Sequence, residues 1–307
     1  MASNKVHANY ISAETRDIDR KEVQDSVFIG MASSGRMPLI EKCYESRIIL
    51  LLIIAPSWIL LYSAIPVIFK FPQGIGADIY RYIEPIVTIP INYFILISAE
   101  VFTGFNSEGA TIVFNILERS FLNVWFLFGA VIYSQGSGMR LTATMVNQNL
   151  DNMIDANFNI TTEYPAIEDN NHYQEELGNI FGNYLQIAGA ILITWSQIFA
   201  YRRQHHYTIH SPFLVIGWLV GGLLNGLLLA ATAIEIRQGP LVGLIYVIVM
   251  GILLAICLRY NKVLFSRGKG LVLQSYLISY IVGLILIIIW IIVVRGFKDT
   301  KNAGLFT

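Results

Sequence analysis

Four stretches of this chain, 48–69, 212–234, 240–258 and 271–294, run without a single charged side chain. A helix rises about 1.5 Å per residue and the hydrocarbon core of a bilayer is about 30 Å thick, so runs of about twenty apolar residues reach across it. A backbone in lipid must satisfy its own hydrogen bonds, which leaves the helix as the structure for such runs. Three further stretches keep long apolar runs around polar residues: 83–102, with Glu84, Pro85, Pro90, Asn92 and Glu100; 111–134, with Glu118 and Arg119; and 178–200, polar in its first half. The expectation is an all-α protein, a polytopic seven-helix transmembrane bundle over 47–297. Charged residues make up 14% of the chain, against about 25% in a soluble domain, too few to clothe a water-facing surface.

Lysine and arginine distribution sets the expected sidedness. With the amino terminus in the cytosol, the inner segments hold Lys5, Arg16, Arg20, Lys21, Arg36, Lys42, Arg47, Arg202, Arg203, Arg259, Lys262, Arg267 and Lys269, and the outer ones hold fewer. The carboxyl-terminal tail, 298–307, is then outer or luminal, in a secretory-pathway or plasma membrane if the cell is eukaryotic. No apolar cleavable leader precedes residue 47, so the first span is expected to act as its own insertion signal. The loop after the third span is acidic and contains Asn159-Ile160-Thr161, a glycosylation acceptor on the luminal side alone. A rhodopsin-like receptor has the opposite orientation, and the last span has no lysine for a retinal Schiff base.

Outside the spans, residues 1–46 alternate charges (Glu14, Arg16, Asp17, Asp19, Arg20, Lys21) and read as a hydrophilic, flexible tail. Cys43 lies just before the first span, as an unmodified thiol or a palmitoylation site. Residues 140–177 form the outer segment. Within it 140–155 has the periodicity of an amphipathic helix, whereas 156–172, with Pro165 and many Asn and Asp residues, reads as an exposed loop. Gly136-Ser137-Gly138 reads as a flexible turn.

Polar side chains inside hydrocarbon cost a few kcal/mol each near its centre and are expected to face other helices or water. Glu175, Asn179, Asn183, Gln186, Ala190, Thr194 and Gln197 recur every three or four residues, a polar or small face that must look inward. Gly217, Gly221, Gly222 and Gly226 give the fifth span a small-residue face for close packing. The polar groups either bond across helices as structural glue or surround a pocket lined by Arg140, Thr144, Glu176, Asn179, Asn183, Asn225 and Glu235, suited to a polar solute or lipid head group. Arg140 could alternatively be one half of a buried ion pair. Glu100 and Arg119 form a second candidate pair, either stabilising a hairpin or relaying ions.

Chemistry is sparse. Twenty-one basic residues balance twenty-one acidic ones, which removes a nucleic-acid reading. Cys43 and Cys257 lie in no metal or disulfide spacing, and His7, His172, His205, His206 and His210 all fall outside the expected spans, so no metal or cofactor is expected. No hydrolase elbow, P-loop or dinucleotide fingerprint occurs, and no internal repeat of the transporter kind is evident.

The segments Gly136-Ser137-Gly138-Met139-Arg140-Leu141, Leu177-Gly178, Glu235 followed by Pro240-Leu241-Val242-Gly243, and Trp290 with Gly296-Phe297 resemble an uncharacterised family of multi-pass membrane proteins. The resemblance runs from the third span to the seventh and implies the same architecture. Glu235 matches that family's glutamate. The places where the family carries histidines are Ser137, Arg140 and Ile187 here, which implies that a metal site, if the family has one, is lost in this chain. Three functions are weighed: binding or transport of a small polar solute or lipid head group, a membrane enzyme or its inactive descendant, and a scaffold subunit meeting a partner helix in the bilayer.

Overall fold

The structure, a computed structural model, describes residues 39–68, 75–103, 112–157, 164–202, 212–260, 264, 270–300 and 303. The chain divides into two units between Arg47 and Ile48, and the second, Ile48–Thr307, holds the contacts that follow. Every regular element among the described residues is helical. In chain order they are α1 (Leu39–Ile68), α2 (Ile75–Thr103), α3 (Ile112–Ala156), α4 (Pro165–Glu176), a π-helical turn (Leu177–Gly182), α5 (Asn183–Tyr201), α6 (Pro212–Glu235), α7 (Gly239–Tyr260) and α8 (Leu271–Val294).

Four of these are long and apolar enough to cross a membrane: α2 over Tyr82–Ala99, α6, α7 and α8. The apolar stretch Ser46–Tyr62 within α1 is shorter. Charges at Glu118, Arg119 and Arg140 interrupt α3, and the amides Asn183, Gln186 and Gln197 dilute α5. The distribution of side chains is that of a protein bathed in lipid. Ile285, Ile288, Ile289, Ile292 and Val293 of α8 are exposed, as are Ile245, Val249, Ile252 and Ile256 of α7, whereas Glu84, Thr88, Ser98, Asn183, Ser196, Gln197, Gln274, Ser275 and Ser279 are buried. Water would penalise apolar faces of this size.

Several expectations need correction. The helix that carries the first expected span is longer than the apolar run from residue 48 and is described from Leu39. Gly136-Ser137-Gly138 is not a turn; α3 runs straight through it and on through the expected amphipathic segment to Ala156. The exposed loop contains α4, which starts on Pro165, a residue suited to the first helical position because its missing N–H has no partner there anyway. Residues 298–300 are held back on the bundle: the Thr300 amide donates to the Ile234 carbonyl (3.2 Å), Asp299 is buried, and the Trp290 indole donates to the Lys298 carbonyl (2.8 Å).

Glycines set the packing. On α3 and on the run from the π-helical turn into α5 they interleave: a Cβ on Gly129 would lie 2.9 Å from the Leu192 Cβ, one on Gly182 3.0 Å from the Arg140 amide nitrogen, and one on Gly178 2.7 Å from the Ala143 Cβ. The backbones approach this closely only without side chains between them. The small-residue face of α6 divides between two neighbours. A Cβ on Gly221 would lie 3.1 Å from the Leu52 carbonyl of α1, and one on Gly226 2.8 Å from the Ser279 carbonyl of α8. Along its length α8 packs on α6 and α7, α3 packs on α5, and α2 packs on both α3 and α5.

Candidate functional site: a polar cavity among α1, α2, α3, α5 and α6

Where α6 ends and α5 begins, the helices leave a cavity of about 450 Å³. Its polar lining comes from Glu84 of α2, Tyr133, Ser137 and Arg140 of α3, Asn183 and Gln186 of α5, and Thr232 and Glu235 of α6. Apolar residues, among them Ile59, Leu141, Ile187 and Leu228, complete the wall. The close approach of α3 and α5 fixes this arrangement. Gly182, at the end of the π-helical turn, lies flat against the backbone of Arg140, and Gly136 does the same against Gln186. One π turn shifts the register of a helix, and such turns recur at functional sites. Here it lets Gly178 and Gly182 meet α3 while Asn183, Gln186 and Ala190 stay on the cavity side.

Glu84 is the most buried charged group of the lining, 8% exposed. Its Oε1 accepts hydrogen bonds from the Thr88 hydroxyl at 2.6 Å and the Tyr133 hydroxyl at 2.7 Å. Glu84, Thr88 and Asn92 follow at i, i+4 and i+8 on α2, so the polar line continues inward. The Asn92 amide donates to the Thr88 carbonyl (2.8 Å), and the Gln197 amide donates to both the Asn92 carbonyl (2.9 Å) and its Oδ1 (3.0 Å). The Tyr276 hydroxyl donates to Gln197 Oε1. A second, smaller cavity of about 100 Å³ lies along this line, bounded by Thr88, Asn92, Thr194, Asn225, Ser275 and Tyr276, and it shares Ile59, Tyr133, Ala190 and Leu228 with the larger one.

Arg140 Nη2 lies 2.6 Å from Glu235 Oε1. The ion pair anticipated for Arg140 therefore exists, but both side chains are substantially exposed, at 38% and 56%, so it is not buried. An exposed pair of this kind contributes little to stability. It stands at the mouth of the cavity.

Of the residues expected to form a pocket, Arg140, Asn183 and Glu235 line the larger cavity, and Asn225 lines the smaller one while its amide donates to the Ser279 hydroxyl (3.2 Å). Thr144 does not join them, since its hydroxyl turns back to the Arg140 carbonyl at 2.8 Å, and Glu176 is exposed away from the lining. The Asn179 side chain and all of Asn159 lie outside the described residues, as do Cys43's side chain and that of Glu100. The expected Glu100–Arg119 pair is thus not described. The neighbouring acid Glu118 pairs with Arg202 at 2.7 Å, tying α3 to the end of α5. Glu84 and Tyr133 were missing from the expected pocket. The spacing of Glu84, Thr88 and Asn92 carries a signal for the first; Tyr133, one aromatic among many in an apolar run, carries none.

Among the described residues no group of three or more His, Cys, Asp and Glu side chains is placed to hold a metal ion. Comparison with protein-family models, with curated proteins and with solved structures finds no match to this chain.

Proposed function

We propose that this chain is a seven-span membrane protein that binds a small polar or amphipathic solute, as a carrier of that solute, in the cavity beneath the Arg140–Glu235 pair. The observation that supports the reading most strongly is the cavity itself. A carboxylate taken out of water is costly and is retained where it serves a pathway or a ligand, and here the buried Glu84 lines about 450 Å³ of space. The polar line from Glu84 through Asn92 to Gln197, with the smaller cavity beside it, supports movement of a solute inward. Cytosolic placement of the amino terminus puts the mouth on the outer side, because α6 and α3 then run outward and α5 inward. That orientation rests on the lysine and arginine distribution.

One observation favours a related second reading. Ser137, Arg140 and Ile187, the three positions where the family that this chain resembles carries histidines, all line the same cavity. A site inherited from a metal-binding membrane enzyme and refitted for a solute would look like this. Serine, arginine and isoleucine offer no imidazole to a metal.

Thiol labelling tests the carrier reading. In a Cys43→Ser, Cys257→Ser background, single cysteines replace Ser137, Thr232 or the fully buried Ser196. A charged, membrane-impermeant thiol reagent applied outside intact cells is expected to modify the first two and spare the third. Equal protection of all three would remove the idea of an open outer cavity, and labelling from the cytosolic side alone would reverse the orientation.

A further inference from the structure

The proposal that this cavity holds a ligand leaves its chemical class open, and the charges of the lining narrow it. Among the described residues the lining contains two carboxylates, Glu84 and Glu235, and one cation, Arg140. Arg140 is engaged by Glu235 at 2.6 Å at the mouth, and among the described residues no ion pair joins it to Glu84. Inside the cavity Glu84 is therefore the carboxylate without a cation of its own. Its Oε1 is held by the Thr88 and Tyr133 hydroxyls, which orient a side chain that lines the space. A carboxylate removed from water is costly unless a positive partner replaces the lost solvation. An occupant can supply that partner. Two aromatic rings, Tyr62 and Tyr133, also line the cavity, and ring faces attract cations. The remaining wall is largely aliphatic, with Ile59, Leu60, Leu141, Ile187 and Leu228, which suits a hydrocarbon portion behind the charged end.

We infer that the cavity takes an organic cation, an amine whose ammonium group pairs with Glu84 while its apolar portion lies against the aliphatic wall. The inference rests on the cavity being a ligand site at all, and the experiment separates the two. Three probes share one shape and differ in charge: benzylamine, benzyl alcohol and benzoate. Binding of each to the full chain in lipid nanodiscs is read from tryptophan fluorescence and from the shift in thermal unfolding midpoint. Benzylamine is expected to bind about tenfold more tightly than the other two, the advantage of a charge-assisted contact. Glu84→Gln keeps an acceptor for Thr88 and Tyr133 and is expected to erase that advantage. Ser137→Lys, which brings a cation from another wall, is expected to do the same without touching Glu84. Ala190→Trp fills the cavity and serves as the occupancy control, since all three probes should lose binding there.

If benzoate or benzyl alcohol binds as tightly as benzylamine, and Ala190→Trp abolishes it, the cavity is a ligand site but the cation assignment is wrong. A benzylamine preference that survives both Glu84→Gln and Ser137→Lys overturns it equally. If no probe responds to Ala190→Trp, the ligand site falls, and the cation with it.

Discussion

Replacing Gly189 by valine tests whether the contact between α3 and α5 holds the cavity in shape. A Cβ at this position would stand 2.6 Å from the Tyr133 Cα and 2.7 Å from the Gly129 carbonyl oxygen. Ordinary carbon contacts lie at about 3.5–4.0 Å, so the helices must separate by roughly 1 Å. Overpacking of this degree costs about 1–3 kcal/mol. Tyr133 lies at the contact and donates to Glu84 at 2.7 Å, and a displacement of about 1 Å takes that hydroxyl beyond bonding distance, adding about 1 kcal/mol. The sum, about 2–4 kcal/mol, shifts the unfolding equilibrium by a factor of about thirty or more. Reversible unfolding in mixed micelles of rising denaturing-detergent fraction, followed by far-ultraviolet circular dichroism, reads the difference. The control is Gly138→Ala on the same helix as Tyr133, where an added Cβ would meet nothing within 4 Å. Intrinsic helix propensity favours both substitutions, alanine by about 1 kcal/mol, so opposite signs isolate the packing effect. Valine at 189 with an unchanged or higher midpoint would refute the argument that close helix approach shapes the site.

Two other substitutions probe the interior and a turn. Gln197 is fully buried and bonds to Asn92 and Tyr276, so Gln197→Leu strands several polar groups and is expected to cost about 1–3 kcal/mol in the same assay, with Tyr276→Phe added to it recovering part of the loss; a double variant less stable than the single one would show that the pair is not coupled this way. Gln238, in the tight connection between α6 and α7, has φ 60°, a left-handed conformation that costs an L residue about 1 kcal/mol, so Gln238→Gly is expected to stabilise by up to about that amount, and a lower midpoint would mean that the Gln238 side chain contributes more than its backbone strain removes.

Much of the helix set was legible from hydropathy. The run 271–294 corresponds to α8 residue for residue, and α6 and α7 begin or end within two residues of the expected bounds. Uncharged runs of this length have one solution in lipid, so local sequence suffices. The inward face of the fourth span was equally legible, because Asn183, Gln186, Thr194 and Gln197 recur at helical spacing and each has a partner or a cavity inside the bundle. The Gly-Ser-Gly segment misled for an identifiable reason. Glycine reads as a turn in water, but in closely packed helices its missing side chain serves the contact, and Gly136 lies against the backbone of Gln186.

The sequence by itself determined the solvent, the helical class and the polar stripes, since each depends on residues near one another in the chain. Tertiary structure alone decided the site. Glu84 and Tyr133 are separated by 49 positions and Arg140 and Glu235 by 95, and no periodicity within one helix states which other helix it will face. That choice belongs to glycines whose partners lie on different helices: Gly182 against Arg140, Gly221 against Leu52, Gly226 against Ser279. Steric fit between two backbones is a property of the pair, which is why the place of the Glu84 carboxylate in the cavity lining could be found only once the helices were packed.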